Sequence, residues 1–110
     1  MAWKKMGFGV ERMPIHNDGG EKLYLLKSRP GLKMPHHSHK GEEWALILQG
    51  GYHVGETGFV YGDLHREDET CAHQPVIDDH GQACITLVAA EGGLTFTNPA
   101  LNLFRPILGV

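Results

Sequence analysis

Glycine or proline interrupts this chain every few residues. Fifteen glycines and six prolines are spread along 110 residues. No window longer than about ten residues keeps a helical period without meeting one of them, which excludes long helices. Between the breaks lie short runs rich in Leu, Ile, Val, Tyr and Phe. That pattern predicts an all-β sandwich or barrel with tight turns. The length suits one compact domain over residues 1–110, able to bury about two thirds of its unfolded surface without staples.

The runs place the strands. Lys22–Lys27 ends at Arg29-Pro30-Gly31, and Met34–His39 is broken by Gly41. Glu43–Gln49 turns at Gly50-Gly51, and Tyr52–Val54 pairs with Phe59–Tyr61. Leu64–Glu67, Cys71–Gln74, Ala83–Ala90 and Leu94–Thr97 follow, with a hairpin loop at Asp78-Asp79-His80-Gly81. The apolar tail Leu101–Leu108 is expected to cover an edge. Alternate residues of a strand face opposite sides. Glu43, Ala45 and Ile47 therefore share one face, and Trp44, Leu46 and Leu48 the other. Both faces are largely apolar, whereas a wet outer face should be polar. The outer face is expected to pack on another sheet or on a partner chain, and a homodimer is the inference drawn.

Charge excludes some partners. The net charge is −3 and no Lys/Arg run exists, so a nucleic-acid or acidic-membrane footprint is missing. No apolar run is long enough to span a bilayer and the start lacks a signal-peptide core. The expected setting is cytoplasmic and reducing, with Cys71 and Cys84 as free thiols.

Eight histidines are scattered along the chain, and two of them open a metal-ligand array. His37, His39 and Glu43 form H-x-H-x3-E, framed by Gly31 and Gly50. Two residues apart, the imidazoles share a strand face, and Glu43 keeps that parity after the Gly41 bend. His73, thirty residues beyond Glu43, is the best fourth ligand. Imidazole and carboxylate together suit Zn, Fe, Mn or Ni.

The spacing Gly31-x5-His37-x-His39-x3-Glu43-x6-Gly50 resembles the first cupin motif at every fixed position, over about residues 31–50. The second motif, at about 62–77, is matched at Gly62 and His73, while Asp68, Thr70 and Ile77 depart from it. More narrowly, the run from LYLLKSRPGLKMPHHSHKGEEWALILQGG through HQPVIDDHGQACITLVAAEGGLTF, with the closing LNLFRPIL, is similar to the cupin domain of ChrR-type anti-sigma factors. The resemblance implies a double-stranded β-helix, the jelly-roll barrel. It implies one divalent ion, zinc foremost with Fe(II), Mn or Ni as alternatives, held by His37, His39, Glu43 and His73. In that family the cupin follows a helical zinc domain that grips an extracytoplasmic-function sigma factor, and it is needed for release under singlet-oxygen stress. The C-x-x-C of that helical domain has no counterpart here, so direct sigma-factor binding by this chain is not expected. The chain reads as a stand-alone cupin or a piece of a longer protein.

Other residues have plainer readings. Cys71 shares the parity of His73; it reads as a small buried hydrophobe, with a redox sensor or soft ligand as the alternative. Cys84 reads as core. His36, His53, His65 and His80 read as surface groups, and Glu67-Asp68-Glu69 as a solvated loop. Tyr24, Tyr52 and Tyr61 are candidates for a cavity wall that the sequence does not place. Two functions follow: a metal-bound regulatory or sensor module answering an oxidant or small ligand, or a small metal-dependent dioxygenase. No general base stands out beyond the ligands, which favours the first.

Overall fold

A computed structural model describes residues 2–34, 37–39, 41–67, 74–91 and 94–96, with backbone alone for 37–39 and 94–96. Among these residues there are strands and turns and no helix. The strands are β1 (Lys4–Gly7), β2 (Val10–Asn17), β3 (Lys22–Ser28), β4 (His37–His39), β5 (Glu43–Gln49), β6 (Gly51–Val54), β7 (Thr57–Val60), β8 (Leu64–Glu67), β9 (Val76–Ile77), β10 (Cys84–Ala90) and β11 (Leu94–Phe96). They form a six-stranded sheet in the order β1-β2-β3-β10-β5-β8, a three-stranded sheet β7-β6-β9 and a two-stranded pair β11-β4. Every pairing is antiparallel.

The apolar run of β10 explains its central place. It pairs β3 on one side and β5 on the other along nearly its full length. Cys84, Thr86, Val88 and Ala90 are buried on its inner face. Val10, Ile47 and Cys84 of the large sheet pack with Tyr52 and Ile77 of the three-stranded sheet, so the core lies between these two sheets. Ile47 is fully buried.

The sequence pattern does not mark β1 and β2. Pro14 interrupts the run, and a proline inside a sheet argues against a strand. The reason it is tolerated is local. β1 pairs β2 only from Val10 to Arg12, so among the described residues Pro14 has β3 on one side and an open edge on the other. Its missing N–H then costs no ladder bond. The register slips between Pro14 and His16, a bulge of the kind expected there. The turn Phe8-Gly9 has φ of 59° and 80°, the left-handed pair of a two-residue hairpin.

Two other expectations shift. Met34 is not in β4; its N–H donates to the Pro75 carbonyl, and Lys33 bridges Val76. Gln74 is not in a strand, and the pairing segment is Val76–Ile77. The rest of the expected strand at 71–73 and the tail 101–108 lie outside the described residues. No helix is long and apolar enough to cross a membrane, among the residues described.

Candidate functional site

A cavity of about 60 Å³ lies inside the sheets, walled by Leu26, Met34, Ala45, Ile77 and Val88. Strand register orders its polar groups. Glu43 of β5 stands directly opposite Glu67 of β8, and Ala45 opposite His65. Further along, Ile47 meets Thr86, and Cys84 meets Ser28. The cavity thus runs from a carboxylate end, through His65, to a far end bearing Ser28, Thr86 and Cys84. Gly41 and Gly50 bracket β5. Gly50 has φ of 68°, and a Cβ there would lie 3.1 Å from the Ala83 carbonyl oxygen. Only glycine both turns and lets β10 approach so closely.

His65 is held on three sides. The Tyr52 hydroxyl lies 2.5 Å from Nδ1, and Nε2 lies 2.9 Å from a Glu67 oxygen. The ring stacks on Phe59 with centroids 3.9 Å apart. Burial, then the Glu67 and Glu43 charges, push the Tyr52 phenol far above its ordinary range. The phenol keeps its proton; in the tautomer that accepts it at Nδ1, Nε2–H donates to Glu67. At the far end, burial followed by the Asp78 charge pushes the Cys84 thiol up to about 11. A thiol so placed is a weak nucleophile at neutral pH.

The expected ligands are placed in part. Glu43 faces the cavity. His37 and His39 form β4, paired with Phe96 and Leu94 of β11, and their side chains lie outside the description. His73, with His36, Asp68, Glu69 and Cys71, also lies outside the described residues. Among the described residues no three His, Cys, Asp or Glu side chains gather as a metal-holding group.

Two surface readings are overturned. His65 and Glu67 are not solvated: their side chains are 14% and 15% exposed, and both line the cavity. The signal was available. They are two apart in one strand, after the Gly62-Asp63 turn, so they share a face by the rule that joins His37 to His39. Of the tyrosines, Tyr52 lines the cavity, Tyr24 is buried beside it and Tyr61 is exposed. Cys84 is core, as read. His53 is partly exposed and sits 3.1 Å from Asp78, so Asp78 is tied down while His80 is exposed.

The profile of the ChrR cupin-like domain matches residues 1–91. The anti-sigma-E factor ChrR of Cereibacter sphaeroides is 34% identical over 111 residues, covering 100% of this chain and 51% of that protein. The crystal structure of Rhodobacter sphaeroides SigE in complex with the anti-sigma ChrR superposes with a TM-score of 0.74 at 32% identity, covering 82% of this chain and 48% of that one. The chain thus spans about half the length of the ChrR proteins it matches. A putative acetylacetone dioxygenase from Methylibium petroleiphilum gives a TM-score of 0.76 at 18% identity, over 90% of this chain and 76% of that one. At that identity the likeness shows the fold alone, and the fold these structures share is the cupin jelly roll.

Proposed function

Because the chain belongs to the ChrR cupin-like domain family, we propose that it is a metal-binding regulatory module. One divalent ion, zinc foremost, is held by His37, His39, Glu43 and His73. The observation that carries this is Glu43 directly opposite Glu67, both lining one cavity. Like charges facing across a strand pair repel, and a divalent cation at that end offsets them. Carboxylate oxygen with imidazole nitrogen suits zinc and also Fe(II). When bound, zinc would supply a fixed positive charge and close the barrel end. Glu43 would ligate directly, and His65, locked by Tyr52, would hold Glu67 in place beside it.

The relative ChrR is an anti-sigma factor. This module is proposed to modulate a sigma-factor-binding domain or partner under oxidant stress in the cytoplasm, without gripping the sigma factor itself. The test is metal analysis of protein purified without added metal, alongside oxygen uptake with 2,4-pentanedione. Zinc without uptake supports the reading. Iron with diketone-dependent oxygen consumption overturns it in favour of a dioxygenase.

The module is also proposed to be a homodimer. A row of apolar residues crosses the outer face of the large sheet: Met13 opposite Leu25, Leu25 opposite Leu87, Leu87 opposite Leu46, Leu46 opposite Leu64. Trp44, Leu48 and Leu64 on this face are exposed. A second copy fits it, since β5 and β10 carry no charged residue there to meet its like across a two-fold axis.

A further inference from the structure

A cleft of about 480 Å³ opens at one end of the large sheet, where the β1–β2 hairpin meets the turn after β3 and the residue before β10. Sites for small organic molecules run from roughly 300 to 1,000 Å³. The cleft shares no lining residue with the cavity that bears Glu43 and Glu67. It also lies two residues further along β2 and β3 than the apolar row of Met13 and Leu25.

Strand register sets its charges. Lys5 of β1 stands opposite Glu11 of β2, and Glu11 opposite Lys27 of β3. Lys27 is engaged, with its Nζ 3.4 Å from a Glu11 oxygen and 4.4 Å from the centroid of the Trp3 ring. Lys5 and Arg29 are exposed, and neither has an ion-pair partner among the described residues. Three cations, Lys5, Lys27 and Arg29, thus face one carboxylate, Glu11. This local positive excess sits in a chain of net charge −3.

Arg29 is held in place. Its backbone N–H donates to the Gly9 carbonyl at 3.0 Å, and its side chain lies back across Gly9. A Cβ at Gly9 would collide with Cγ, Cδ and Nε of Arg29, so glycine leaves the room in which the stem rests. A side chain seated in this way has less freedom to lose on binding. Val10, Pro30 and Ala83 supply apolar lining beside it.

We propose that this cleft binds a small organic dicarboxylate, with one carboxylate on Arg29, the other on Lys5, and the carbon chain against Val10, Pro30 and Ala83. The guanidinium edge matches a planar carboxylate in a two-bond fork, and Lys5 adds a point charge. Lys5 and Lys27 are two strand spacings apart, about 10 Å of backbone, and Arg29 follows Lys27 by two residues. The two unpaired cations therefore flank β2 from either side. That separation suits a ligand charged at both ends better than one charged at a single point, such as phosphate.

The experiment is calorimetric titration of the protein as purified with sodium glutarate, against sodium butyrate and sodium phosphate at equal ionic strength. Glutarate is expected to bind saturably at about millimolar strength, about tenfold tighter than either competitor. Arg29→Met should weaken it by about fivefold or more, and Arg29→Lys should weaken it for want of the fork. Lys5→Met should weaken it by about threefold. Glu11→Gln should tighten it by about threefold, because it removes the cleft's own carboxylate and frees Lys27. Lys5→Met and Arg29→Lys keep their aliphatic stems and should melt as the parent does. Four results overturn the proposal: no saturable glutarate heat, butyrate or phosphate binding as tightly as glutarate, glutarate binding undiminished in Arg29→Met or Lys5→Met, or weaker binding in Glu11→Gln. Undiminished binding would place the glutarate elsewhere, on a bound metal ion for example.

Discussion

Tyr52, His65 and Glu67 are joined by two contacts to the His65 ring nitrogens, and Phe59 stacks on that ring. Tyr52→Phe removes the hydroxyl that lies 2.5 Å from Nδ1 of the mostly buried His65 ring. A loss of about 1–2 kcal/mol is expected, measured as a lower urea midpoint with unchanged slope. An unchanged midpoint would mean that the contact contributes nothing. Cys84 gives a pH dependence. Its thiol is raised from 9.0 to about 11 by burial and the Asp78 charge, so the unfolded chain ionises first as pH rises. The stability held by the neutral buried thiol is complete below about pH 9 and is lost as pH climbs toward 11. Tyr24 and Tyr52 are raised too, chiefly by burial, and act with the same sign above their ordinary value of 10.0. The urea midpoint should therefore fall between pH 8 and pH 10.5, and Cys84→Ala should flatten the first part of that fall. A midpoint constant over this range would contradict the burial of all three groups.

β5 was legible because it obeys one rule without interruption. Its inner Glu43, Ala45 and Ile47 and its outer Trp44, Leu46 and Leu48 fall where alternation puts them. Gly50 ends it for a reason that can be tested: Gly50→Ala meets both a positive φ and the Ala83 carbonyl. It should cost about 1–3 kcal/mol, read from thermal melts; a melt matching the parent would show that the turn can relax. β2 was illegible because Pro14 breaks the pattern, and only the tertiary pairing shows that β1 stops short of it. β9 has two residues, too few to carry a period. Its place comes from pairing with β6, a distant contact that local sequence does not encode. His65 and Glu67 failed for another reason: charged and ionisable residues near a turn resemble surface, and only parity argues otherwise. The outer face yields its own outcome. Leu64→Glu should shift the sedimenting species from dimer to monomer in analytical ultracentrifugation. A monomeric parent, or a variant that sediments as the parent does, would remove the dimer.

The jelly roll gathers at one end of a cavity residues that are far apart in sequence, with Glu43 of β5 directly facing Glu67 of β8. The motif spacing named Glu43 from His37 and His39, while Glu67 and Tyr52 needed the paired sheets to bring them to the same cavity. The chain spans about half the length of the ChrR relative, and the regulatory role proposed for it rests on a bound metal. The decisive measurement is metal content by mass spectrometry for protein purified without added metal, compared with His39→Ala, Glu43→Ala and His73→Ala. About one equivalent is expected in the parent and less than about half in each variant, with lower melting temperatures to match. Metal fully retained in all three variants, or missing from the parent, would contradict the four-ligand site.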